Sequence, residues 1–274
     1  QKIFAAKGRP SHNPLIVHVA TIQQAKTIAI FDDRAEKLAH LWPGPLTLVL
    51  PLQPKHNIAP CVTAGLPTVA IRIPGHDIAL ELIKNAQVPI AAPSANLSGT
   101  LSATALKQVK ESFARSKNIY ILEHSTECTI GLESTIIDLS TSYPIILRQG
   151  YFTKEFLSGY LTTEVQIANE NSEIKAPGML LKHYAPQTSM RLNARFLSSH
   201  ELGLNFANSH LNSKFALNLS PSGDLIEAAA NLYYYLYQLD EYAQRNNYTC
   251  IAVAPVPDDN IGAAINDRLK KAST

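Results

Sequence analysis

Residues 68–86 read TVAIRIPGHDIALELIKNA, and the period of their apolar side chains changes midway. Up to Pro74 the period is two. Val69, Ile71 and Ile73 make one wholly apolar strand face, and Thr68, Ala70 and Arg72 make the other. Beyond Gly75 the apolar residues Ile78, Leu80, Leu82 and Ile83 fall at helical spacing, with Asp77 in the first turn, where the helix dipole favours an acid. A strand running straight into a helix predicts an α/β fold. Arg72 stands at the centre of the strand between small residues, where a charge is costly unless it meets a carboxylate or phosphate. The alternatives are an exposed strand face and an internal salt bridge.

Upstream, KGRPSHNPLIVH (7–18) opens with Lys7 and Arg9, and Gly8 and Pro10 stop the helix that QKIFAA is finishing. If the backbone beyond that stop is extended, i and i+2 project to one side and both cations can face one anion. Asn13 adds an amide, Pro14 keeps the chain extended, and LIVHVA reads as a short buried strand carrying His18. These residues form either a phosphate-handling edge or a solvated helix end with a satisfied histidine. Residues 21–42 then read as two helical pieces broken near Asp32 and Asp33. WPGP (42–45) is a forced turn, LTLVLPL a strand and PKHNIAPCVTAGLP a loop.

Downstream, VPIAAPSANLSGTLSATALKQVKESF (88–113) reads as strand, polar loop and helix, with Ser102 or Thr104 as the cap. Ser94, Asn96, Ser98 and Ser102 crowd around Gly99. Hydroxyls and an amide after a strand and before a helix form the usual anion cradle of α/β proteins, and they serve equally as ordinary loop and cap chemistry. NIYILE, STIIDLS and PIILRQG read as three strands, with Asp138 and Arg148 as candidates for a paired or ligand-facing position. YFTKEFLSGYL reads as a helix that closes a domain over residues 1–161 built on a mixed sheet.

From 162 to 187 the pattern dissolves into a linker that carries PGM and HYAP, and loops this long are usually functional or disordered. A smaller α/β domain follows over 188–274. TSMRLN, KFALNLS and TCIAVAPV read as its strands, and residues 224–244 and IGAAINDRLKKA read as its helices. Leu225, Ala229, Leu232, Leu236 and Leu239 give the first of these one apolar stripe, which Tyr233, Tyr234, Tyr235 and Tyr237 widen as core rather than as a base-stacking platform.

The 274 residues carry a net charge of only +2, so any basic surface is local and a general polyanion binder is disfavoured. Cys61, Cys128 and Cys250 are widely spaced and odd in number. They fit neither a disulfide framework nor a C-x-x-C metal site, and they suit a reducing, cytoplasmic compartment. The longest apolar runs fall far short of a membrane span. No P-loop, G-x-G-x-x-G, H-E-x-x-H or G-x-S-x-G motif occurs. What remains is Lys7, Arg9, Arg72 and Arg148, with hydroxyls at strand ends. Such a set binds and orients an anion and offers no covalent nucleophile.

KGRPSHNPLIVH, TVAIRIP, PIAAPSANLSG, GLESTIID, ILRQG and PGMLLKHYAP, in this order, resemble the threonylcarbamoyl-AMP synthase family in its long form. SGDLIEAAANLY and NDRL in the C-terminal part agree. The resemblance implies a YrdC-like twisted mixed sheet with helices, followed by a smaller Rossmann-like three-layer α/β domain. It implies synthesis of L-threonylcarbamoyladenylate from L-threonine, bicarbonate and ATP, with Mg²⁺ arriving on the ATP and no metal ligand from the protein. The product would pass to the machinery that transfers threonylcarbamoyl to tRNA, with a weak RNA contact as a further implied partner. By position, Lys7, Arg9, Asn13, Thr68, Ser94, Ser102 and Arg148 would line the ATP site, and Tyr184 would close over the nucleotide. His18, Arg72, the Ala92 backbone and Ser134 would hold threonine. Lys7, Arg9 and Arg72 would carry the catalytic charge neutralisation, and HYAP would be a lid. The family's first strand bears a Thr-x-Tyr-Gly-Leu-type segment that nothing here matches, which places it upstream of Gln1. The rivals are a double-stranded RNA-binding module using the same basic concavity, and a carbamoyl transferase, which would bring zinc-binding and acylphosphatase segments that this sequence lacks.

Overall fold

A computed structural model describes residues 1–116, 118–123, 129–169, 172–179 and 184–274; Cys128 and His183 lie outside the described residues. Helices α1 to α9 span Lys2–Lys7, Ile22–Lys26, Asp33–Ala39, Pro60–Thr63, Asp77–Ala86, Leu106–Ser112, Lys154–Leu161, Leu225–Asn246 and Ile261–Ala272. Strands β1 to β11 span Ile16–His18, Leu46–Pro51, Thr68–Arg72, Ile90–Ala92, Thr135–Asp138, Ile145–Arg148, Gln166–Ile167, Ser189–Arg191, Glu201–Asn205, Ala216–Asn218 and Cys250–Val253. They pack into two compact units. The first is Arg9–Pro93 with Glu133–Leu180, and the second is Lys2–Gly8, Ser94–Leu132 and Leu181–Thr274.

The first unit holds a seven-stranded mixed sheet in the order β4-β1-β3-β2-β5-β6-β7. On one face Val17, Leu48, Val69, Ile71, Ile137 and Ile146 pack with residues of α2, α3 and α7 into a continuous apolar core. The helices are set by their caps: Thr21, Asp32 and Thr153 each accept a backbone N–H from the first turn of the helix that follows. The break expected near Asp32 is this cap. Two sequence readings change here. Residues 60–63, read as loop, form the short α4, and the linker supplies β7, which pairs in parallel with β6.

The second unit has a four-stranded parallel sheet, β10-β9-β11-β8, packed against α8 and α9. Asp224 caps α8 by accepting from the N–H groups of Ile226 and Glu227. Of the stripe read from the sequence, Ala229, Leu232, Leu236 and Leu239 are buried; Tyr233 joins them while Tyr234 faces solvent. Strand β9 was not anticipated from ELGLN. It is buried throughout, and Gly203 is required because a Cβ there would collide with the Leu211 carbonyl. NIYILE, read as a strand, is irregular: Tyr120 and Leu122 project into solvent and no strand among the described residues pairs with the segment. Neither Ser102 nor Thr104 caps α6. The Gln108 side chain reaches back instead and accepts from the N–H groups of Thr104 (2.7 Å) and Ala105 (3.0 Å).

Candidate functional site

Strand register decides which side chains of the first unit share a face. Parallel pairing sets His18 beside Arg72 and Ile16 beside Ala70, and antiparallel pairing sets Ile16 beside Ala92. Val49 pairs with Ala70 on one side and Asp138 on the other, Thr47 pairs with Ile136, and Ile136 with Arg148. Because side chains alternate along a strand and match across it, one face carries His18, Thr47, Thr68, Arg72, Ala92, Asp138 and Arg148. Its apolar remainder is a small cluster that includes Ile16, Val49, Ala70 and Ile136, covered by Ala168, Ala176 and Met179 from the linker. The sheet is thus apolar throughout on one side and carries the polar and charged side chains on the other.

Arg72 Nε donates to the Gly44 carbonyl (2.9 Å), an acceptor supplied by the WPGP turn. Among the described residues its two terminal nitrogens have no hydrogen-bond partner and no carboxylate forms the internal salt bridge that the sequence allowed. Burial first, and Arg148 second, push its guanidinium down to about 10. Arg148 is buried; it donates from Nε to the Ser134 carbonyl (3.0 Å), from Nη2 to Ser134 Oγ (3.0 Å) and from Nη1 to the Pro177 carbonyl (3.4 Å). Ser134 Oγ also lies 2.7 Å from Thr47 Oγ1. Thr47 was missed in the sequence, where it is one ordinary residue of LTLVLPL. Asp138 does not pair with Arg148: Lys175 takes its carboxylate at 3.0 Å.

His18 is held neutral. Burial and then the Arg72 charge lower its pKa to about 4. Its Nδ1, Asn13 Nδ2 and Thr68 Oγ1 are buried polar atoms without a partner among the described residues. A buried polar atom left so is expensive, and a ligand is one way to satisfy it. Arg9 is buried and donates to the Asn13 carbonyl (3.1 Å), Asn13 Oδ1 (2.7 Å) and the Pro14 carbonyl (2.7 Å), which fixes the amide through its oxygen. Ala92 sits on β4, the edge strand of this sheet among the described residues.

The second unit carries the other candidates. Lys7 ends α1 and is therefore helical, so the argument from extended i and i+2 positions does not hold for it. Its ammonium is buried against the Ser94 carbonyl (2.6 Å), the Asn96 carbonyl and Asn96 Oδ1 (3.3 Å), and its carbonyl accepts from the Ser98 N–H (2.9 Å). Asn96 organises this loop: its Nδ2 donates to the Thr100 carbonyl at 2.9 Å. Ser102 is buried nearby in the chain. Tyr184 is only 1% exposed and is part of this unit's core, not a projecting flap. Among the described residues no three His, Cys, Asp or Glu side chains cluster as a metal site, and no helix is long and apolar enough to cross a membrane.

Comparison with known proteins converges on one family. Residues 1–150 match the Sua5_yciO_yrdC family, described as "Telomere recombination", and residues 152–274 match "Threonylcarbamoyl-AMP synthase, C-terminal domain". The threonylcarbamoyl-AMP synthase of Pyrococcus abyssi is 36% identical over 293 residues, covering 100% of this chain and 84% of that protein. That of Bacillus subtilis is 35% identical over 298 residues, covering 100% and 83%. The crystal structure of P. abyssi Sua5 complexed with L-threonine matches with a TM-score of 0.87 at 35% identity, over 99% of this chain and 83% of that one.

Proposed function

Because the chain belongs to the threonylcarbamoyl-AMP synthase family, we propose that it condenses L-threonine, bicarbonate and ATP into L-threonylcarbamoyladenylate and releases pyrophosphate. The observation that carries this reading is Arg72, a largely buried guanidinium whose two terminal nitrogens have no acceptor among the described residues. A planar fork grips two carboxylate oxygens at once, which suits the α-carboxylate of an amino acid. The likeness to a relative solved with L-threonine supports the same assignment.

In this reading Arg72 takes the threonine carboxylate and the Ala92 backbone and His18 take its amine and hydroxyl. His18 does so as a neutral ring, which adds no third positive charge beside Arg72 and Arg148. Ser134 holds Arg148 in place from the same face. Deprotonated, the threonine amine adds to carbon dioxide from bicarbonate and becomes a carbamate. A carbamate oxygen then attacks the α-phosphorus of ATP, the bond to the bridging oxygen breaks, and pyrophosphate leaves with the electron pair. Substrate is nucleophile, so no serine or cysteine triad is needed. Lys7, Arg9, Asn13, Thr68, Ser94, Ser102 and Arg148 are the residues assigned to ATP; Tyr184, buried in the core of the second unit, is not placed to close over the nucleotide. Their work is alignment and charge neutralisation, and alignment alone supplies roughly 7–11 kcal/mol.

Mg²⁺ fits as a companion of ATP rather than a resident ion: oxygen donors from phosphate and water suffice, and the described residues offer no acidic cluster. When bound it neutralises phosphate charge. The product is a mixed anhydride, an activated acyl donor for the machinery that modifies tRNA, in a cytoplasmic setting. RNA binding by the protein itself is disfavoured, since Lys7, Arg9 and Arg148 are buried rather than arrayed on a surface. The deciding experiment is pyrophosphate release from ATP. Release that requires both threonine and bicarbonate supports the proposal; release that ignores either one overturns it.

A further inference from the structure

NDRL near the chain's end contributes nothing to the chemistry above, yet its arginine is among the most buried residues of the protein. Arg268 on α9 is 1% exposed. Its guanidinium carbon lies 5.4 Å from the centroid of the Tyr184 ring, and its Nη1 pairs with Asp267 at 2.6 Å. Tyr233 closes on the same ring, centroid to centroid 5.6 Å. Tyr184 itself has φ +63, a left-handed backbone that a bulky L-residue adopts only when its surroundings hold it there.

The residues after Tyr184 are pinned as firmly. The Ala185 N–H donates to the Gly99 carbonyl at 3.0 Å, forming a bridge beside Thr100. Asp240 accepts from the Gln187 N–H (2.9 Å), the Thr188 N–H (2.8 Å) and Thr188 Oγ1 (2.7 Å). Thr100 in turn is tied to Asn96, and Asn96 seats the Lys7 ammonium. A chain of contacts inside one unit therefore runs from Arg268 through Tyr184, Ala185 and Thr100 to Lys7.

We propose that Arg268 is a positioning residue: by holding the Tyr184 ring in a cation–π contact it fixes the 184–188 strap, and through it the loop that seats Lys7 for ATP. This gives the C-terminal segment a role in a reaction none of its side chains touch. The inference rests on the functional reading above for its kinetic arm alone. Its structural arm, hydrogen exchange at the Ala185 amide, needs no activity.

The test uses the full chain with Arg268→Met, Arg268→Lys and Tyr184→Leu. A desolvated cation–π contact predicts that Arg268→Met raises KM for ATP roughly tenfold while KM for threonine stays within about twofold. Arg268→Lys, which keeps a cation over the ring, recovers most of the loss. The Ala185 amide loses protection in Arg268→Met, and Tyr184→Leu costs less in that variant than in the wild type, because the two substitutions share the Arg268–Tyr184 contact. A folded Arg268→Met protein with wild-type KM for ATP and wild-type protection at Ala185 overturns the proposal. So does a variant that only melts earlier and loses kcat with both KM values unchanged. If Arg268→Met does not fold, Tyr184→Leu must show the same rise in KM and the same loss of protection, and wild-type values there overturn it. If the wild-type protein releases no pyrophosphate, the functional reading fails and the exchange result alone decides this one.

Discussion

Arg72 and Arg148 project from the same face of one sheet, close enough that Arg148 depresses the Arg72 guanidinium, and neither is paired with a carboxylate among the described residues. Two like charges brought together in a largely buried setting destabilise the empty protein. The arrangement is intelligible if an anion from outside completes it.

Arg72→Ala separates the substrates. Loss of a charged hydrogen-bonding partner is worth roughly 1.5–3 kcal/mol, so KM for threonine should rise about ten- to a hundredfold while KM for ATP changes far less. Thermal melting should not fall, because the variant also removes the repulsion with Arg148. Steady-state kinetics with each substrate varied checks this. Equal losses for both substrates would count against the assignment.

The Thr47–Ser134 hydroxyl pair supports Arg148 from beneath. Thr47→Val keeps the shape and removes the 2.7 Å bond, leaving a buried hydroxyl short of a partner. It should cost about 1–3 kcal/mol in denaturant unfolding, with Thr47→Ser close to wild type. A neutral Thr47→Val would remove Thr47 from the site.

Stability should depend on pH through His18. Its folded pKa of about 4 lies below the unfolded value of 6.5, so between those values the unfolded chain binds the extra proton. Stability contributed by the neutral ring is full above pH 6.5 and falls as pH drops toward 4, by up to about 3 kcal/mol. Glu201, held at about 2 by Arg191, acts in a lower window. Urea titrations of wild type and His18→Asn at several pH values check the slope, which the variant should lack; the same slope in both would show that His18 is not its source.

Cutting the chain after Tyr160 should unfold residues 94–132 rather than merely remove a cover. Leu132 is buried in the core of the second unit and Leu101 packs against it, while Glu111 and Lys107 of α6 bond Tyr237 and Glu241 of α8. Hydrogen exchange on the truncated protein would show the loss, and protected amides in α6 would refute it.

The sequence disclosed most where local chemistry and packing agree. Alternation in TVAIRIP marked both the apolar face and Arg72, and the stripe of 224–244 marked α8. It failed where pairing partners lie far away in the chain. NIYILE looks like a strand, but strand propensity without a neighbour yields none. ELGLN looks unpromising, yet its small Gly203 is what lets Leu211 approach. Lys7 and Arg9 looked like two cations facing one anion from an extended backbone, whereas one ends a helix and the other donates to Asn13 and Pro14. Thr47 and the Gly44 carbonyl carry no signal in one dimension, because their roles come from what the sheet sets opposite them.

Calorimetric titration of the wild-type and Arg72→Ala proteins with L-threonine, and with L-threoninamide, which lacks the carboxylate, addresses the guanidinium directly. Threonine should bind the wild type with measurable heat, and both the amide on the wild type and threonine on Arg72→Ala should bind at least tenfold more weakly. Equal affinity for acid and amide, or unchanged threonine binding in Arg72→Ala, would contradict the assignment.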